Sequence, residues 1–186
     1  MIRLFILLSA PLITLAHPAI ETRINDLDKA IEEAPLAPEL YLMRGRLFAS
    51  HGNKIRAKQD FESARALNDN TQVQLALGNL YLSNADYQNA SDSFAHALQM
   101  DSGNSLAWLG LAKASTELGA HNLALLSYRN YFDLEANPQP GYFAAAVRAV
   151  AFYNRPEAQR LLKEGLERLG PVPALTDLFL ALGFHP

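Results

Sequence analysis

The chain repeats itself, and the length of the period is that of a helix pair. Aligned on one alanine, Ala57, Ala90, Ala124 and Ala158 stand 33, 34 and 34 residues apart. Four residues after each comes a large apolar side chain: Phe61, Phe94, Tyr128 or Leu162. Seven after each comes Ala64, Ala97, Tyr131 or Gly165. Twelve residues upstream sit Gly45, Gly78, Ala112 and Ala146, and three beyond those sit Phe48, Tyr81, Ser115 and Ala149. Such a period marks stacked units, none of which can bury its apolar face alone. Within each unit the apolar residues fall at i, i+3, i+4 and i+7, the stripe of an amphipathic helix. The small residues fall where two antiparallel helices must approach, because a larger side chain there would force them apart. Gly52-Asn53, Asn84-Ala85-Asp86 and Asn154-Arg155-Pro156 mark turns inside units. Asn68-Asp69-Asn70, Asp101 to Asn104 and Asn137-Pro138 mark turns between them. No strand pattern and no linker interrupts this order, so one continuous all-α domain is expected.

These positions, with Trp108 in the aromatic place that Tyr41 and Tyr142 hold in their own segments, resemble the tetratricopeptide repeat. The resemblance implies a right-handed α-solenoid of antiparallel helix pairs. It divides the chain into repeats at 38–70, 71–104, 105–138 and 139–172. The third repeat departs from the pattern at Ser115 and Tyr131, and the fourth has an alanine-rich first helix without the glycine. Residues 17–37 fit a lone capping helix ahead of the stack, with Ile24, Leu27, Ala30 and Ile31 on one face. Residues 173–186 fit a closing helix, with Leu175, Leu178, Phe179 and Leu182 in one stripe. Leu180 and Phe184 fall outside that stripe, so residues 174–184 are a candidate surface for self-association.

In proteins of this family the first helices line a concave groove that contacts partners. Carried over position by position, the resemblance implies a partner-binding groove of Glu39, Leu42, Met43, Arg46, Leu75, Asn79, Leu109, Lys113, Phe143 and Val147. Arg46, Asn79 and Lys113 form a polar row that ends at Val147, and Leu42, Leu75, Leu109 and Phe143 an apolar one. Such a face suits a peptide with apolar anchors and a negative group. Some relatives clamp a terminal carboxylate with Lys and Asn side chains; here Leu42, Ala76, Leu106 and Gly110 occupy most of those places, so that activity is not implied.

The first residues follow different rules. Met1-Ile2-Arg3 is a short positive start, and Leu4 to Ala16 is almost wholly apolar but broken by Pro11. Thr14-Leu15-Ala16 offers a small-x-small cleavage site before His17, the layout of a signal peptide over residues 1–16. The run is too short to span a bilayer, so the mature protein is expected to be exported, periplasmic or secreted, with no membrane span. The absence of cysteine excludes disulfides, thiolate metal sites and a lipid-modified N-terminal cysteine. A net charge of −3 argues against nucleic acid as a partner.

No nucleophile, base and oxyanion site are brought together, so no enzyme activity is expected. His17, His51, His96, His121 and His185 contain no i, i+4 metal pair, and no cofactor or metal is expected. The alternative is copper binding or delivery through His17, whose amine and imidazole would both be nitrogen ligands if cleavage follows Ala16. The reading that results is an exported scaffold or adaptor that holds a peptide or protein segment in a groove, as in assembly of an envelope complex.

Overall fold

The computed structural model describes residues 17–184. The expected signal peptide at residues 1–16 lies outside the described residues. Among the described residues the chain is all-α, with ten helices and no strand. They are α1 (His17–Glu33), α2 (Pro38–Ser50), α3 (Lys54–Leu67), α4 (Thr71–Ser83), α5 (Tyr87–Met100), α6 (Ser105–Glu117), α7 (His121–Leu134), α8 (Pro140–Ala151), α9 (Arg155–Leu169) and α10 (Pro173–Ala181). They pack chiefly as antiparallel pairs, α2 with α3, α4 with α5, α6 with α7 and α8 with α9. Contacts divide the chain into two compact units rather than the single unit expected, the first ending at Leu67 and the second beginning at Asn68. The boundary falls at Asn68-Asp69-Asn70, three polar residues.

In the first unit, α2 and α3 close over Phe48, Ala57, Phe61 and Ala64, with Ile31 of α1 also buried. Gly45 lies against the Phe61 ring: a β-carbon there would stand 2.6 Å from it. Arg44 ties the three helices together. It donates to Asp60 at 2.7 and 2.9 Å and to Asp28 at 2.6 Å. The two carboxylates hold the guanidinium charged well beyond its ordinary range, against the cost of its burial.

In the second unit the small and large positions interlock as the period requires. Ala90, Ala124 and Ala158 are fully buried, as are Phe94 and Leu162. Polar connectors cap the helices that follow them. The side chains of Asn70, Asp86, Asn104 and Asn154 accept from the backbone N–H groups of Val73, Asn89, Ala107 and Glu157. The turn inside each of the first three repeats carries one residue of positive φ: Gly52, Ala85 and Gly119 take φ of +74°, +56° and +68°. Ala85 alone adopts this left-handed conformation with a β-carbon, at a cost of roughly 1 kcal/mol.

The departures of the third and fourth repeats compensate one another. Tyr131 and Phe132 are large and buried, while α8 opposite offers Ala144 and Ala146. Phe132 stacks on Phe143 at 3.9 Å, and Tyr131 meets Tyr142 edge-on at 5.5 Å. Ser115 and Ser127 are wholly buried with no hydrogen-bond partner for either hydroxyl. Arg129 of α7 pairs with the buried Glu157 of α9. Arg168 donates to the carbonyls of Phe132 at 3.0 Å and Glu135 at 2.6 Å.

Candidate functional site

The residues expected to line a groove are brought to three different environments. In the first unit Glu39, Met43 and Arg46 are exposed along α2, and Leu42 is half-buried. In the second unit Asn79 of α4 is exposed and Lys113 of α6 is half-buried. Leu75 and Leu109 are buried, and Phe143 and Val147 are completely inaccessible. The apolar row is therefore core in this unit and not a lining. The cause in the fourth repeat is α10, which packs on α8 and α9. It places Leu175 in the same cluster as Phe143, Val147 and Val150. A β-carbon at Gly165 of α9 would stand 3.0 Å from both Leu175 and Phe143, so α8, α9 and α10 are in close contact there.

What stays open in the second unit is a strip on α4 and α6, two helices packed side by side. Gln72 and Asn79 face solvent from α4, and Leu106 and Glu117 from α6. Leu106 is 64 % exposed. Lys113 lies one turn before Glu117, with its ammonium 4.9 Å from the centroid of the Tyr142 ring. Burial of this half-covered ammonium moves its pKa below the usual lysine value. The contact of Lys113 with Tyr142 has no trace in the period, because it joins positions 29 residues apart in neighbouring repeats.

The closing helix divides the two residues that its stripe leaves out. Phe184 folds back and is buried, under the Arg155 guanidinium at 5.0 Å. The expectation of a free Phe184 is thus corrected: the chain reverses at Gly183, with φ of +60°, and returns the ring to the core. Leu180 remains 75 % exposed. It forms the rim of an open hollow of about 420 Å³ lined by Leu166, Pro171, Thr176 and Phe179. A second hollow, of about 550 Å³, lies at the turns preceding α7 and α9. There His121 stacks on Tyr153 at 4.6 Å and the Tyr153 hydroxyl donates to the His121 carbonyl at 2.9 Å. His17 opens α1, and the described residues bring no three His, Cys, Asp or Glu side chains together as metal ligands.

The tetratricopeptide repeat family model matches residues 71–104. A comparison with curated protein sequences finds no match. Among solved structures, YrrB, described as a TPR protein with an unusual peptide-binding site, superposes with a TM-score of 0.74 at 18% identity. The alignment covers 86% of this chain and 83% of YrrB. MamA from Desulfovibrio magneticus superposes at 0.73 and 16% identity, over 81% of this chain and 85% of MamA. A TPR protein from Thermus thermophilus gives 0.62 at 16% identity, over 89% and 91% of the two chains. At these identities the likeness is one of fold: helices in antiparallel pairs, as in tetratricopeptide repeats.

Proposed function

We propose that this chain, built on the tetratricopeptide-repeat fold, is a non-catalytic scaffold that holds a peptide or protein segment on the first-helix face of its second unit. The observation that carries the reading is the open strip of Gln72, Asn79, Leu106, Lys113 and Glu117 on helices whose other faces are buried. It offers one exposed apolar anchor beside polar groups, the mixture from which peptide sites are made. The peptide-binding site of YrrB, a protein of the same fold, supports it. The signal-like layout of Met1 to Ala16 supports work outside the cytoplasm, as a scaffold in assembly of an envelope complex.

One experiment tests both parts. Protein isolated from the extracytoplasmic fraction is expected to begin at His17 and to carry a partner. Leu106→Asp combined with Asn79→Lys should weaken that complex by about 2 kcal/mol, roughly thirty-fold, with helical content unchanged. A partner held equally well by the double variant overturns the site, and a retained Met1 overturns export.

Leu180 favours a second contact. Its exposed side chain and the adjoining hollow are complementary in kind, so two copies of α10 can exchange leucines across a two-fold axis. Burying each Leu180 contributes about 1.5–3 kcal/mol, enough for weak association. Sedimentation should show a concentration-dependent dimer for the natural protein and a monomer for Leu180→Lys. A natural protein that stays monomeric at high concentration removes this reading.

A further inference from the structure

We infer that the turn edge formed by Leu118, Leu123, Leu126, Phe152 and Tyr153 seats the second unit on an anionic lipid surface. This edge is a different face from the strip on α4 and α6, and the inference does not depend on that strip.

The residue that closes the first helix of each pair is His51, Asn84, Leu118 and Phe152 in turn. The first two are polar, as suits a helix end that returns to water. The last two are large and apolar, with Leu118 42 % and Phe152 99 % exposed. Packing does not account for Phe152, because its ring is left almost wholly in solvent. Helix α7 shows the same change. Its exposed Leu123 and Leu126 stand where α5, one repeat earlier, has Asn89 and Asp92. The two turns are also joined to each other. His121 stacks on Tyr153 at 4.6 Å, and the Tyr153 hydroxyl donates to the His121 carbonyl at 2.9 Å. Leu123 and Tyr153 line the hollow between the turns. The five side chains thus form one apolar patch and are not singly scattered.

Two features select lipid as the occupant. The first is charge. Arg148 lies one turn before Phe152 on α8 and is exposed. Arg155 opens α9 three residues after Phe152 and is exposed too, while it donates to the Leu182 carbonyl. Glu157 of α9 is buried and paired with Arg129 and Arg160. Glu117, beside Leu118, is an exposed carboxylate at the rim. The arginines on either side of Phe152 complement lipid phosphates, although the whole chain carries −3. The second feature is shape. Phe152 stands on a tip with no wall of side chains around it. A protein hot spot needs close packing against a matching pocket. The boundary of headgroups and acyl chains is fluid, and it accepts any ring that a neighbouring arginine can anchor at the phosphates. One ring, three leucines and two cations give a weak and reversible attachment.

The mature chain from His17 onward is sedimented with vesicles of phosphatidylcholine alone and of an equal mixture with phosphatidylglycerol. Binding should be stronger to the mixed vesicles, and the difference should shrink with added salt. Phe152→Asn gives this tip the residue that Asn84 supplies in the second repeat. It should weaken binding to the mixed vesicles about tenfold, with helical content unchanged because the ring is exposed. Arg148→Gln should remove most of the preference for the anionic vesicles. Ile55→Asn is the control, since Ile55 is an exposed apolar residue of α3 outside the patch, and it should bind as the natural protein does. Phe152→Trp should move its emission to the blue on mixed vesicles, and Ile55→Trp should not. A natural protein that stays in the supernatant with both vesicles overturns the inference, even where the same edge captures a protein. Binding that Phe152→Asn leaves unchanged, or that Phe152→Asn and Ile55→Asn weaken equally, overturns it as well.

Discussion

Gly110→Ala is expected to destabilise the second unit by about 3 kcal/mol, although alanine is the better helix former. The ring of Phe94 lies between two glycines. A β-carbon on Gly78 of α4 would stand 2.8 Å from it, and one on Gly110 of α6 would overlap it outright. The ring is wholly buried and cannot retreat from one helix without meeting the other. Relief must come from moving α6, which also carries the buried Ala107, Leu111 and Ala114 of the same cluster. Gly141→Ala in α8 is the control. Nothing lies within 4 Å of its β-carbon position, so helix propensity alone should stabilise, by up to about 1 kcal/mol. Thermal or urea midpoints that move in the same direction for the two variants would refute this packing, and Phe94→Leu should relieve the loss at Gly110.

Arg44→Met should cost about 3 kcal/mol, with the loss confined to the first unit. The side chain of Asp60 is 6 % exposed, and Arg44 is its described ion-pair partner. Removing the guanidinium leaves a buried carboxylate with no compensating charge, while Asp28, nearly half exposed, can return to water. The unit has few fully buried large side chains to offset the loss, chiefly Phe48 and Phe61. Amide exchange should show protection falling in α1 to α3 and unchanged in α4 to α10. Arg44→Met with Asp60→Leu should recover much of the stability, since the penalty lies in the orphaned charge and not in the lost pair. Equal loss of protection throughout the chain would show that the two units unfold as one.

The site was less legible than the framework that carries it. Glu39, Met43, Arg46 and Asn79 are exposed, as the repeat positions imply, whereas Leu75, Leu109, Phe143 and Val147 are buried. A repeat position states which way a residue points from its own helix. It does not state whether another helix stands there, and α10 stands over α8.

The sequence by itself determined the pairing of helices. A small residue every 33 or 34 places, with a large one four residues later, lets antiparallel helices approach closely at each pair. The buried alanines and the rings opposite them make that approach. It also marked four of the caps, because Asn70, Asp86, Asn104 and Asn154 stand at the polar turns where a side-chain oxygen reaches the backbone N–H three residues on. Only the tertiary structure decided which polar groups meet. Arg44 with Asp28 and Asp60, Arg129 with Glu157, and Lys113 with Tyr142 join residues 16 to 29 apart in different helices. Nothing periodic marks such pairs: a charge is solvated equally well on any outward face until a neighbouring helix removes the water. The same reason separates Phe184 from Leu180. Both are apolar residues outside the stripe of α10, and the reversal at Gly183 buries the first while the second is left to face solvent.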